Sequence, residues 1–308
     1  MSTMPTLLLL ALALSSAPPA PDLDLLLRGG TVIDGSGAPA FRADVGVKDG
    51  RIARVGDLKD VSAQRVIDVS GQVVAPGFID VHTHADDLAK RPKAENFVRM
   101  GVTTIVAGNC GSSALEVGKA FAEIRKAGVA VNYATLVGHN TVREAVMGME
   151  RRAPTAAEME KMKALVAQAM ADGAVGLSTG LQYVPGSWAE PGEIAELARV
   201  ACRAGGLYAS HMRNEGTEIE KAIAETIEAG EKAGCPVQIS HLKIDSPSRW
   251  GVSEQALAAI DAARARGIDV EADQYAYTAA ASSLSIRFPD WALAGGAEEV
   301  NKRLDDEA

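Results

Sequence analysis

The residues of this sequence best suited to chemistry are Asp80-Val81-His82-Thr83-His84, Cys110, His211 and His241. Only five histidines occur in 308 residues, and four of them stand beside strand-like apolar runs. A strand alternates faces with period 2, so His82 and His84 are expected to point the same way. Asp80 shares their parity and could orient a ligand from behind. His211 and His241 each follow a serine at the end of a later apolar run, in matching places of a repeating pattern. A histidine pair after one strand, with further histidines ending later strands, assembles a metal site at the mouth of a parallel barrel. This is the pattern of a metal-dependent hydrolase. Cys110 ends the run Val106-Ala-Gly-Asn-Cys110 and precedes Gly111-Ser-Ser113. That location faces the same mouth, where a metal would stabilise the thiolate as a ligand; a nucleophilic cysteine is the rival reading. The fifth histidine, His139, follows the third strand and reads as a substrate contact, a support to the site, or a polar loop residue.

These side chains need a scaffold, and the pattern of the chain supplies one. From about residue 76, apolar strand-like runs alternate with helix-like stretches. The runs are 77–81, 103–107, 131–137, 174–178, 206–210, 236–240 and 268–272. The spacing predicts helices over 156–170, 190–204 and 218–233. Such alternation implies a parallel sheet, and seven such strands suggest a (β/α)8 barrel short of its eighth. No eighth strand is legible before the charged stretch that ends at Ala308, so the sequence reads as the N-terminal part of a longer protein. Residues 21–75 read instead as a small β-sandwich-like domain of short strands. In it, Asp49-Gly50 between alternating runs marks a hairpin.

Composition narrows the function classes. The net charge is −9 and aromatic residues are 4% of the chain, which argues against a basic or base-stacking surface for nucleic acid. Hydrophobic residues reach 47%, enough for a large core. Leu7–Leu14 followed by Ser15-Ser-Ala17-Pro-Pro-Ala20 resembles the apolar region and cleavage site of an export signal, too short to span a bilayer. It lacks the usual basic start. Residues 1–20 are therefore expected to direct export to the periplasm or outside; if the segment is not a signal, the expectation is a cytoplasmic protein. Cys202, in a helical pattern, and Cys235, in a Gly-Cys-Pro turn, read as small core residues and not as a disulfide framework.

The segments APGFIDVHTHAD (75–86), GVTTIVAGNCG (101–111), GAVGLSTGLQYVPG (173–186), YASHMRNEG (208–216) and QISHLKI (238–244) together resemble the amidohydrolase superfamily. Within it they are similar to the N-acyl-D-amino-acid deacylases, over about residues 24–280. The resemblance implies a site of one or two zinc ions. His82 and His84 would bind one metal, His211 and His241 the other, and Cys110 would be a shared or tight-site ligand. Many relatives bridge their metals with a carboxylated lysine on strand four. Residues 174–181 contain no lysine, which counts against a hydantoinase-like or dihydroorotase-like enzyme acting on cyclic amides. Tyr183 and Lys243 are implied near the substrate carboxylate, with Arg213, Tyr275, Tyr277 and His139 as further substrate-side candidates.

The implied reaction is hydrolysis of a small N-acyl-D-amino acid, or of a dipeptide ending in a D-residue. In it a metal polarises the amide carbonyl and acidifies a water. The superfamily's general base is an aspartate after strand eight. Asp273 follows strand seven and does not match that motif, so the 308-residue chain by itself is expected to be inactive. Another expectation, of a different class, is a non-catalytic zinc-binding remnant.

Overall fold

The structure, a computed structural model, describes residues 21–305; the expected export signal at 1–20 lies outside the described residues. The chain divides at Pro76 into two compact units.

The first unit is built on one mixed sheet: β1 (Leu23–Val32), β2 (Phe41–Lys48), β3 (Arg51–Gly56), β4 (Ala63–Asp68) and β5 (Val73–Val74). Its order is β3-β2-β1-β4, with β5 also paired to β1. β2 and β3 are antiparallel and joined by Asp49-Gly50, both at positive φ (51° and 71°), as the Asp-Gly signal requires. Leu23, Leu26 and Leu58 form the small core of this unit.

The second unit carries seven parallel strands in chain order: β6 (Phe78–Asp80), β7 (Val102–Ala107), the split pair β8 (Asn132–Thr135) and β9 (Val137–Gly138), β10 (Gly176–Gly180), β11 (Leu207–His211), β12 (Val237–Ile239) and β13 (Val270–Ala272). Two ladders result, β6-β7-β8 and β9-β10-β11-β12-β13. Leu136 links them: its N–H donates to Ala107 O at 2.9 Å, and Val175 N–H donates to Thr135 O at 2.9 Å. Among the described residues β6 pairs only with β7 and β13 only with β12, leaving two sheet edges. Phe78 and Ile79 are exposed on the first of these. β10 is buried at every residue, the condition of a parallel strand covered on both faces.

Helices fill the connections: α1 (Glu95–Val98), α2 (Val117–Ala127), α3 (His139–Met147), α4 (Ala156–Ala171), α5 (Pro191–Arg203), α6 (Ile219–Ala233), α7 (Ser253–Ala265) and α8 (Ala297–Asp305). The expected helices over 156–170, 190–204 and 218–233 match α4, α5 and α6 within a residue or so. Their ends follow local chemistry. Thr155 and Glu158 form a capping box on α4, Pro191 opens α5, and Gly234 closes α6 at φ 73°. The main core joins Leu177, Tyr208, Ile239 and Val270 of the sheet to Met162, Leu197, Ile223 and Ile260 of the helices. No helix among the described residues is long and apolar enough to cross a membrane.

Cys202 and Cys235 depart from expectation. They are bonded to each other, with Cα atoms 5.4 Å apart, within the span of a disulfide. The last turn of α5 packs beside the turn that enters β12, a proximity that a sequence separation of 33 residues does not reveal.

Candidate metal centre

The strand ends place the site, and short tethers refine it. β6 stops at Asp80, so His82 and His84 stand on the following loop and not on the strand. Thr83, between them, is buried, and its N–H and hydroxyl both donate to Val106 O, at 3.0 and 2.9 Å. Pinning Thr83 turns both imidazoles outward from that anchor. Their ring centroids are 5.6 Å apart, and both line one cavity. Asp80, expected to orient a ring, accepts the backbone N–H of His82 at 3.1 Å instead.

Cys110 sits in a turn that few sequences could form. Gly108, Cys110 and Gly111 all have positive φ (73°, 54° and 79°). A Cβ on Gly108 would lie 2.1 Å from Leu136 O, and one on Gly111 2.7 Å from Gly180 N, so only glycine fits there. Ser178 of β10 clamps the turn: its hydroxyl donates to Gly108 O at 2.5 Å and accepts from Gly111 N–H at 3.0 Å. The Asn109 amide donates to Thr83 O and Val106 O. The cysteine turn and the first histidine loop are thus one hydrogen-bonded body.

The side chains then converge. Cys110 Sγ lies 3.4 Å from His82 Nε2 and 3.5 Å from His241 Nε2. His241 Nε2 is 2.9 Å from His211 Nδ1. Ligand atoms of His82, Cys110 and His241 all lie within 4.8 Å of one another, as do those of His211, Glu215 and His241. His241, at φ 37°, is shared by both groups and strained, as residues at functional sites often are. His84 lines the same cavity but belongs to neither group.

Of the three remaining ring nitrogens, His211 Nε2 lies 3.1 Å from Gln182 Oε1 and the other two face carboxylates. His82 Nδ1 is 3.1 Å from Asp273 Oδ1 and His241 Nδ1 is 2.8 Å from Glu215 Oε1. Asp273 also accepts the His241 N–H at 2.6 Å and the Gln238 amide at 2.8 Å. The other Glu215 oxygen is 2.6 Å from Lys243 Nζ.

Electrostatics suit a cation. Burial, with the charges of Glu215 and Asp273 adding to it, pushes the Cys110 thiol up to about 12. Burial holds the His211 imidazole down at about 3 against the pull of Glu215, so it is neutral at pH 7. A cation supplies the charge that a buried thiolate needs. His82 Nδ1 and Glu215 Oε1 are buried without an aligned hydrogen bond. Imidazole nitrogens and one sulfur form a nitrogen–sulfur donor set suited to zinc, and the residues fit such an ion.

Around the cluster lies a cavity of about 1340 Å³, lined by Tyr183, Lys243, Tyr275 and Tyr277 among others. The Tyr183 ring is 4.7 Å from that of His211, and its hydroxyl is 3.2 Å from Ser282 Oγ. Lys243 Nζ sits 5.5 Å from the Tyr275 ring centroid. Two substrate-side expectations fail. Arg213 does not line the cavity. It forms a forked pair with Glu225 at 2.9–3.1 Å and donates to Ser187 O and Ala189 O. Its guanidinium is therefore spent on the segment after Tyr183. His139 is fully buried as the first residue of α3, 2.8 Å from Glu193 Oε1 in a cluster with Arg143; its strand-end location turns it into the core. Glu215 escaped the sequence reading, and Asp273 was set aside. The only signals for them are a glutamate four residues past His211 and an aspartate just past β13.

The model of an amidohydrolase family matches residues 65–284. The chain belongs to the amidohydrolase family. It is 44% identical over 285 residues to the D-aminoacylase of Alcaligenes xylosoxydans xylosoxydans, covering 85% of this chain and 59% of that protein. It is 41% identical over 286 residues to an N-acyl-D-glutamate deacylase from the same organism, covering 85% and 58%. Among solved structures, it is similar to an N-acyl-D-glutamate deacylase from Bordetella bronchiseptica, complexed with zinc and a phosphonate mimic of the tetrahedral intermediate. That match has a TM-score of 0.80 and 42% identity, over 83% of this chain and 59% of that one. The chain thus spans about three fifths of the length of these relatives.

Proposed function

We propose that this chain is the metal-binding part of a zinc-dependent hydrolase that cleaves the amide bond of N-acyl-D-amino acids, releasing a carboxylate and a free D-amino acid. The observation that carries the reading is the convergence of Cys110 Sγ with His82 and His241 Nε2 at 3.4 and 3.5 Å. His82, Cys110, His211 and His241 would hold zinc, with His84 on the cavity wall beside them. When bound, zinc supplies Lewis acidity and a low-pKa water. Lys243 offers an ammonium and Tyr183 a hydroxyl within the same cavity, suited to orienting the carboxylate of an N-acyl amino acid. Tyr275 and Tyr277 extend the apolar wall. β10 reads Gly-Leu-Ser-Thr-Gly, without the lysine of the cyclic-amide enzymes.

The reading extends to three further points. The seven parallel strands belong to a (β/α)8 barrel, and residues 21–75 to a small β-sandwich-like domain. Both carboxylates at the cluster, Glu215 and Asp273, are committed to other groups; the resemblance puts the general base on an aspartate after an eighth strand, so residues 1–308 alone are inactive. The protein is exported: the Cys202–Cys235 bond suits an oxidising compartment, and N-terminal sequencing of the native protein should show cleavage near Ala20.

Ligand binding tests the central claim. With zinc present, N-acetyl-D-amino acids should raise the melting temperature of the chain, whereas their L-enantiomers and hydantoins should not. Equal shifts from both enantiomers, or shifts that persist after chelation, would remove the reading. Normal turnover by the 308-residue chain would overturn the claim that it is inactive alone.

A further inference from the structure

Glu215 stands between a histidine of the centre and Lys243. It is buried, at 3% exposure, and stands four residues past His211 in the loop after β11. One oxygen lies 2.8 Å from His241 Nδ1 and the other 2.6 Å from Lys243 Nζ. The loop holds it from two sides. Asp245 N–H donates to the Glu215 carbonyl at 2.9 Å, and the Asn214 side chain accepts the Gly216 and Glu218 N–H groups.

The tautomer of His241 decides whether this histidine can bind a metal. Nε2 faces Cys110 Sγ and His211 Nδ1, so it is the nitrogen that must present a lone pair to a metal. Nδ1 must then carry the proton and donate it. Nδ1 has two neighbours of opposite character: the acceptor Glu215 Oε1, 2.8 Å away but not aligned with the ring N–H, and the donor Lys243 Nζ at 3.2 Å. Pairing with the lysine would put the proton on Nε2 and close that nitrogen to a metal. Pairing with the glutamate leaves Nε2 open, and the second oxygen of the same glutamate draws the ammonium to itself.

We propose that Glu215 is a positioning residue that sets the metal-binding tautomer of His241 and keeps Lys243 from reversing it. One carboxylate thereby couples the metal histidine to the ammonium at the substrate end of the cavity. The proposal rests on the zinc reading above and adds a role for a residue outside the ligand set.

Zinc affinity of the purified 308-residue chain tests it, measured by competition with a chromogenic chelator, with metal content counted after dialysis. Glu215→Ala should weaken zinc binding about 10- to 100-fold, the range for loss of a partner behind a histidine ligand. Glu215→Gln keeps an acceptor for Nδ1–H and should stay within about threefold of the parent, by the same reasoning. Glu215→Ala combined with Lys243→Met removes the competing donor and should recover part of the loss. An unchanged affinity in Glu215→Ala would overturn the proposal, as would loss of one whole zinc equivalent in both the Ala and Gln variants, which would make Glu215 a direct ligand. If Glu215→Ala fails to fold, the Gln variant decides: a loss as large as 10-fold there counts against a tautomer role. A parent chain that binds no zinc sinks the metal reading itself, and this inference with it.

Discussion

Asp273 Oδ1 lies 3.1 Å from His82 Nδ1, joining the first and the last strand of the parallel run through their C-terminal ends. The same carboxylate accepts the His241 N–H at 2.6 Å and the Gln238 amide at 2.8 Å. One side chain therefore fixes the backbone after β12 and a side chain of β12 while lying against a ring from the β6 loop. Asp273→Ala would leave buried donors unpaired and should cost roughly 2–4 kcal/mol of stability in urea unfolding. Asp273→Asn keeps one acceptor and should lose less. Equal losses in the two variants would mean that packing, and not hydrogen bonding, governs this position.

Arg213 is expected to behave as a clamp. Its guanidinium holds Ser187 O at 2.7 Å and Ala189 O at 2.9 Å while paired to Glu225, and so braces the segment that carries Tyr183. Arg213→Met should destabilise the chain by about 1–3 kcal/mol, with Glu225 left unpaired. An unchanged melting temperature combined with loss of ligand binding would return Arg213 to a direct substrate role.

The Cys202–Cys235 bond closes a loop over a sequence separation of 33 residues. Chain entropy alone assigns such a closure roughly 3–4 kcal/mol. Reduction, or Cys202→Ala, should lower the unfolding midpoint, and reductant should have no further effect on the variant. A midpoint that does not move under reductant would show that the bond contributes nothing in solution.

Tyr133 gives the chain an alkaline limit. Burial, with the nearby charge of Asp86 adding to it, pushes its phenol up to about 12, well above the usual range of a tyrosine. A group whose folded pKa is raised stabilises fully below its unfolded value and loses that contribution as pH rises through the folded one. Stability should therefore fall between about pH 10 and 12, and less steeply in Tyr133→Phe. Parallel pH profiles for parent and variant would show that another group controls the decline.

Much of the second unit is legible in sequence because short-range physics writes it. The apolar runs, the capping box at Thr155 and the glycine stop at Gly234 sit where α4 and α6 begin or end. The Asp49-Gly50 hairpin needs only its own two residues. His82, Cys110, His211 and His241 are legible the same way, since each closes a strand or its loop and parallel strands bring those ends to one face.

Short-range pattern thus specifies which elements form and which side chains stand at their ends. What those side chains meet depends on long-range packing. Arg213 and Lys243 are both basic residues two positions past a strand-end histidine, yet one grips Glu225 and the other faces the cavity. His139 ends a strand like its counterparts and turns into the core beside Glu193. Glu215, Asp273 and the Cys202–Cys235 pair likewise depend on contacts between distant segments. Periodicity fixes direction within an element, but pairing between elements is set by packing, loop geometry and the competition of several polar groups for one partner.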